Sequence, residues 1–299
     1  MTGAVRGRIA VIIGSGAMGL AAARRLSPAC RLLVADNSQA RLDSAVRSLA
    51  DDGHRVDAMA VDVRDGLSVA AVATAAATAG IVSAVVHTAG VSPSQASATD
   101  IFAINLVGTA HVIDRFLDVA SPGTSLVCVA SMAGHKQRVD PALENELATT
   151  PTGRLMETNL FDLGTPDTSF AYHIAKRGVQ LRVAVAARAW GRKGARVNSL
   201  SPGIIWTPMS QQEFDGERGD NMRLIVANLA VPRVGTPEDI AAVIEFLCSP
   251  AAGYITGTDL LVDGGATAAR RWPHSPPLPP SAVAPPSSHA SPGTFKRGT

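Results

Sequence analysis

Short β-branched apolar runs alternate along this chain with longer, alanine-rich stretches of helical period. The runs occupy residues 8–13, 31–36, 55–63, 82–87, 125–131, 195–201 and 258–265. Most are continuously apolar rather than alternating, as strands are when both faces of a sheet are covered. Helical patterns lie between them, near 18–27, 38–52, 66–79, 98–120, 170–190 and 237–248. Ser38, Asp65 and Thr236 are start signals, the last followed by Pro237 at the first helical position. Strand–helix alternation repeated this often predicts an α/β fold with a doubly wound, mostly seven-stranded parallel sheet. One domain, residues 1–269, suffices.

Two stretches break the rhythm. Residues 132–171 hold Leu143, Leu147, Leu155, Met156, Leu160, Phe161 and Leu163, too many apolar groups for a disordered loop. They predict an inserted flap or small helical piece, and a connection of that length suggests a function. Residues 270–299 predict a disordered tail, since the segment from Trp272 onward holds eight prolines with serine, alanine and basic residues.

Composition narrows the class. With 46% hydrophobic and 17% charged residues, the 299-residue chain can bury a large core. Of its 27 basic residues, Arg270, Arg271, Lys296 and Arg297 lie in the acid-free tail, so the body holds 23 against 25 acidic groups. That balance argues against nucleic-acid binding. No apolar segment reaches the ~18 residues of a membrane span. Cys30, Cys128 and Cys248 are far apart, each in an apolar stretch, and read as buried thiols in a reducing compartment. A cytoplasmic protein without a metal site is expected.

The first strand runs into a glycine loop, Gly14, Gly16 and Gly19, at the opening of a helix. In the GxGxxG pattern the first glycine permits a tight turn and the second lets backbone approach a pyrophosphate. The third lets helix and strand pack closely, and the helix N-terminus offers free N–H groups to phosphate. Asp36 lies 22 residues beyond Gly14, at the end of the second strand. It either accepts hydrogen bonds from the ribose hydroxyls of an adenosine or starts a turn before Ser38. In the first role it repels a 2′-phosphate, and no basic residue in the glycine loop or at position 37 offsets it, so NAD is expected over NADP. Asp62 either meets an adenine amino group, with the Val63 N–H nearby, or is an ordinary turn residue. The run His87-Thr88-Ala89-Gly90 closes the fourth strand at the sheet edge where such folds bind ligands, and Gly90 permits close approach.

Tyr172 and Lys176 stand at i and i+4, on one face of a helix. An ammonium beside a phenol stabilises the phenolate, so the spacing predicts a tyrosine pKa drawn down toward working pH. Ser131 ends a buried strand, where it either holds a substrate oxygen or serves as a turn residue. His135 reads as a solvated loop histidine or a substrate contact.

Together these motifs resemble the short-chain dehydrogenases/reductases, a Rossmann-fold family, from about residue 7 to residue 268. The likeness rests on the glycine loop, Asp36, HTAG, Asn105 in INLVGT, Ser131, Tyr172 with Lys176, SPGIIWT and ITGTDLLVDGG. It implies a set of Asn105, Ser131, Tyr172 and Lys176. Tyr172 exchanges a proton with the substrate oxygen, and Ser131 polarises that oxygen. Lys176 binds the nicotinamide ribose, and Asn105 holds a water in a relay. Implied cofactor contacts are Gly14, Ser15, Gly16, Met18, Gly19, Asp36, Asp62, Val63, Ala89, Gly90, Tyr172, Lys176, Pro202, Gly203, Ile205 and Thr207. Residues 207–230 fall where the family carries a lid, with Met209, Phe214, Met222 and Leu224 as an apolar lining. The loop departs from the family's TGxxxGxG, and HTAG replaces its NNAG. The function implied is NAD-dependent interconversion of a secondary alcohol and a ketone. The lid and insertion point to a hydrophobic substrate, of steroid or alicyclic type, and the family to a homo-oligomer, dimer or tetramer. An NAD(H)-binding sensor or scaffold and an NADPH-dependent 3-oxoacyl reductase are the alternatives.

Overall fold

The computed structural model describes residues 7–136, 138–157, 165–216 and 219–272. The chain begins with β1 (Arg8–Ile13), α1 (Ala17–Leu26), β2 (Arg31–Asp36), α2 (Gln39–Asp51), β3 (Val56–Ala60), α3 (Gly66–Ala79) and β4 (Ile81–His87). A long helical stretch follows: α4 (Ala98–Ile101), one π-helical segment (Phe102–Val107) and α5 (Gly108–Val119), then β5 (Ser125–Val129). The second half carries α6 (Pro141–Thr149), α7 (Thr168–Arg192), β6 (Arg196–Pro202), α8 (Pro208–Asp215), α9 (Gly219–Ala227), α10 (Pro237–Cys248), β7 (Asp259–Val262) and α11 (Ala266–Arg271).

All seven strands are parallel, in the order β3-β2-β1-β4-β5-β6-β7. The order reverses between β1 and β4, which opens a crevice at their carboxyl ends. Two apolar layers enclose the sheet, one through Val11, Phe116, Val183 and Trp190, the other through Ile12, Leu42, Val127 and Ile244. Continuous apolar strands bury both faces here, which is why their residues do not alternate.

The differences from the expected elements are local. The third strand stops at Ala60 and the seventh at Val262, where Gly264 (φ +62°) and Gly265 (φ +86°) turn the chain left-handed. The helix expected over 98–120 contains the π-helical segment, a device frequent at functional sites. The tail boundary falls later than residue 270, because α11 runs through Arg271; residues 273–299 lie outside those described. So do Leu160, Phe161 and Leu163.

The described part of the inserted segment includes the small helical piece expected, packed on the body. Leu147 and Leu155, each 1% exposed, pack with Leu106 and Ile174 into a third apolar cluster. Glu144 of α6 pairs with Arg177 of α7 at 2.7 Å. Burying Leu147 fully contributes roughly 1.5–3 kcal/mol toward holding the nine-residue α6, which would not persist alone. Among the described residues no helix is long and apolar enough to cross a membrane.

Candidate active site

The turn after β1 is built on Gly14 and Gly19. Gly14 has φ +103°, and a Cβ there would lie 2.5 Å from the Ala89 nitrogen. A Cβ on Gly19 would lie 2.0 Å from the Gly14 carbonyl oxygen, so helix α1 reaches this close only with glycine. Gly16 differs: a Cβ there meets nothing within 4 Å, leaving the space in front of the α1 N-terminus open. The loop lacks the family's threonine, yet Thr88 Oγ1 donates to the Gly14 carbonyl at 2.9 Å and pins it from the next strand.

A groove of about 580 Å³ runs from this loop along the sheet edge, lined by Gly16, Met18, Asp36, Arg41, Asp62, Val63, Ala89 and Gly90 among others. Its donor set suits an adenine dinucleotide: open backbone N–H groups at a helix start, and a buried carboxylate at the end of the neighbouring strand β2. Asp36 is only 7% exposed. Its Oδ2 accepts from the Ser15 N–H and Ser15 Oγ, both at 2.8 Å. Its Oδ1 accepts from Ser38 N–H at 2.9 Å and from Arg41 Nη2 at 2.7 Å. Burial alone would raise this carboxyl's pKa, but the bonds from Arg41, Ser15 and Ser38 hold it below the usual range. Ser15 is thus turned to Asp36. Arg41, which sequence reasoning missed, returns from the first turn of α2 to place a half-exposed guanidinium beside Asp36 and Asn37. Asp62 lines the groove with its carboxylate clasped by Arg64 at 2.7 Å, which holds its pKa low.

The groove continues past Met18, Gly90, Thr207 and Met209 into a second cavity of about 520 Å³. Ser131, Tyr172 and Lys176 all line it, with Pro202, Gly203, Ile205 and Thr207. Tyr172 and Ser131 line the same side of it, and, against burial, the Ser131 hydroxyl draws the Tyr172 pKa down. The Lys176 ammonium lies 5.7 Å from the centre of the Tyr172 ring and donates to the Val129 carbonyl at 3.0 Å. Burial pushes Tyr172 up to about 12, eased by Ser131 and reinforced by Glu213. The same burial pushes Lys176 down to about 8. The downward shift expected of the tyrosine is therefore absent in the protein alone, because desolvation outweighs the lowering by Ser131.

Asn105 sits inside the π-helical segment, fully buried, and its amide clamps the strand-end loop. Its Oδ1 accepts from Val91 N–H and its Nδ2 donates to the Val91 carbonyl, both at 2.9 Å. His87, which stands where the family has asparagine, is also buried. Its Nε2 lies 3.0 Å from Thr109 Oγ1, which in turn donates to the Asn105 carbonyl at 2.8 Å. Thr109 therefore accepts from an Nε2–H, and His87 Nδ1 is left buried without a partner among the described residues. Burial drives this imidazole down to about 3, so it is neutral at ordinary pH.

Pro202 ends β6, and a Cβ on Gly203 would lie 2.7 Å from Asp263 Cα, so the chain passes there only as glycine. Ile205 is bridged to Gly235, and Thr207 caps α8 by accepting from Ser210 N–H at 3.2 Å. The lid region is two short helices. Met209 and Met222 line the cavity as expected, but Phe214 packs on Trp206 at 5.6 Å. Leu224 faces a neighbouring cleft beside α11. His135 is partly exposed and outside the cavity lining, and its Nε2 is 2.7 Å from Asp259 Oδ2. Cys128 and Cys248 are buried but Cys30 is half-buried, and all three are free thiols. His173 and Glu213 line the cavity, and nothing in the sequence singled them out.

A family model described as short chain dehydrogenase matches residues 8–142, and one described as enoyl-(acyl carrier protein) reductase matches residues 142–267. The short-chain dehydrogenase/reductase bsc3 of Alternaria brassicicola is 36% identical over 260 residues, covering 86% of this chain and 95% of that one. D-threitol dehydrogenase of Mycolicibacterium smegmatis is 30% identical over 264 residues, covering 87% and 93%. The solved structure of gox2181 matches with a TM-score of 0.69 at 25% identity, covering 88% of this chain and 97% of the other.

Proposed function

The chain belongs to the short-chain dehydrogenase/reductase family, and from that premise we propose that it interconverts a secondary alcohol and a ketone with NAD as cofactor. One observation carries the reading: Ser131, Tyr172 and Lys176 converge on a cavity continuous with the groove at the glycine loop. Ser131 and Tyr172 hold the substrate oxygen between two hydroxyls. In reduction Tyr172 gives its proton to that oxygen as the carbonyl carbon is attacked, and in oxidation it takes the proton back. When bound, the nicotinamide supplies or accepts the hydride and, in its oxidised form, adds a positive charge that favours the phenolate. Lys176 lies between the ring of Tyr172 and the strand edge, where it binds ribose hydroxyls. Asn105 keeps the Gly90–Val91 loop in place beside it and borders the water path.

Asp36 supports NAD, since its carboxylate repels a 2′-phosphate. Use of NADPH is a second reading, favoured by Arg41, whose guanidinium pairs with Asp36 at 2.7 Å in the lining of the same groove. The apolar lining from Ile204, Met209, Met222 and Ile225 supports a mid-sized, largely hydrophobic substrate of alicyclic type. We place the enzyme in the cytoplasm as a homo-oligomer acting on small molecules. Replacing Tyr172 with phenylalanine tests the assignment. Turnover of a panel of alicyclic alcohols, followed as NADH absorbance, is expected to fall about 10²–10⁴-fold while NADH still binds. A Tyr172→Phe protein working at near wild-type rate refutes it, and a wild type that binds NADH but oxidises no alcohol is a sensor.

A further inference from the structure

The cavity beside Tyr172 is lined by two chemically unlike sets of groups. Ile204, Met209, Met222 and Ile225 present carbon. Against them stands a string of hydroxyls that ends in a carboxylate. Ser92, 4% exposed, lines the cavity with its Oγ 2.9 Å from Ser94 Oγ, and Ser94 Oγ donates to Glu213 Oε1 at 3.4 Å. Glu213 itself lines the cavity from α8, half-buried.

We propose that Glu213 determines specificity by accepting a hydrogen bond from a second hydroxyl of the substrate, so that the preferred substrate is a diol or hydroxyketone with an apolar frame. The inference rests on the oxidoreductase reading above and names the substrate class of that site. An ionised carboxylate only accepts, and it has room for about four bonds. Among the described residues its hydrogen-bonding partner is one hydroxyl at a long distance, so a carboxylate that lines the cavity keeps capacity for a ligand. A simple alcohol that fills the cavity strips water from the carboxylate and returns no donor, which is costly for a charged group. A diol returns the donor.

The other ionisable groups facing this space decide between a hydroxyl and an ammonium. Besides Tyr172 they are Lys136, Asp167, His173 and Lys176. Asp167 is engaged by the Phe170 N–H at 2.9 Å and serves as the cap of α7. Lys176 lies at the floor with its ammonium buried, where it repels a second cation and leaves a neutral hydroxyl unaffected. Glu213 and Tyr172 line the same cavity, so a substrate that fills it meets both.

The test uses the full chain with NAD and four alcohols: cyclohexanol, cyclohexane-1,2-diol, 2-aminocyclohexanol and decahydronaphthol. Wild-type protein is expected to favour the diol over cyclohexanol at least about 10-fold in kcat/KM. In Glu213→Ala that ratio collapses toward one, chiefly through KM for the diol. Glu213→Gln, which keeps a carbonyl acceptor, recovers part of it. A wild type without diol preference, an equal loss on both alcohols in Glu213→Ala, or an aminoalcohol that outperforms the diol overturns the inference. Oxidation of cyclohexanol or decahydronaphthol without the diol sinks this inference alone. If none of the four yields NADH, the oxidoreductase reading falls with it.

Discussion

Neutralising Asp36 gives a direct measure of cofactor choice. In Asp36→Asn the shape of the side chain is kept and its charge is lost. The structure sets the terms: the carboxylate takes Ser15 and Ser38 from the loops and Arg41 from α2, and it reaches the groove edge where a ribose would lie. A hydrogen bond to a charged group contributes about 1.5–3 kcal/mol and one to a neutral group about 0.5–1.5, so NADH should bind roughly 5–13-fold more weakly. For NADPH the same change removes a repulsion. Two unit charges about 4 Å apart interact by roughly 1 kcal/mol in water and 4 kcal/mol near a protein surface, and a half-open groove lies between these limits. It also frees Arg41 to meet the 2′-phosphate. The ratio of the two dissociation constants, Kd for NADPH over Kd for NADH, is expected to drop by at least about 25-fold. Titrating the fluorescence of each reduced cofactor against protein reads this without any substrate. Arg41→Ala should move the ratio the other way, because it removes the cation and leaves Oδ1 to the ribose. A ratio that changes by less than about 3-fold in Asp36→Asn would show that the carboxylate does not meet the ribose, and the NAD assignment would lose its basis.

Three further perturbations follow from the same geometry. Gly19→Ala forces a methyl to within 2.0 Å of the Gly14 carbonyl and should cost about 1–3 kcal/mol, seen as a Tm several degrees lower. Gly16→Ala meets open space, so it should keep its Tm and lose NADH affinity; a normal Kd in that variant would mean the pyrophosphate lies elsewhere. Lys176 carries a burial penalty of up to about 3 kcal/mol, since its pKa falls from 10.5 to about 8 on folding. The unfolded chain holds more protons between those values, so that penalty is present below pH 8 and relieved as pH rises toward 10.5. The Tm of Lys176→Met relative to wild type should therefore decline across that window, and a difference independent of pH from 7 to 10.5 contradicts the assignment.

Strand and helix positions were legible because they follow from local rules. Unbroken apolar runs, Pro237 after Thr236, and glycines at a strand-to-helix turn each report on a few adjacent residues. β1 and β2 have the boundaries expected of them for this reason, and the order of motifs was enough to suggest the family. The sites of Ser131, Tyr172 and Lys176 were likewise readable, because strand ends and i, i+4 spacing place side chains without knowledge of the rest.

Electrostatics and partnership were decided by tertiary packing. A side chain's pKa depends on how much water its neighbours exclude, and that is a sum over distant segments. Hence Tyr172 rises where spacing alone predicted a fall. Arg41 reaches Asp36 only because β2 and the first turn of α2 fold the chain back on itself. Glu213 meets Ser94 across 119 positions, and His135 meets Asp259 across 124, neither contact having a local signature. The sequence by itself determined which chemistry the chain can carry, since local steric and hydrogen-bonding rules act over a turn or a strand. Which groups share a cavity, and at what charge, was decided by long-range packing, where desolvation and distance act on residues that the linear order keeps apart.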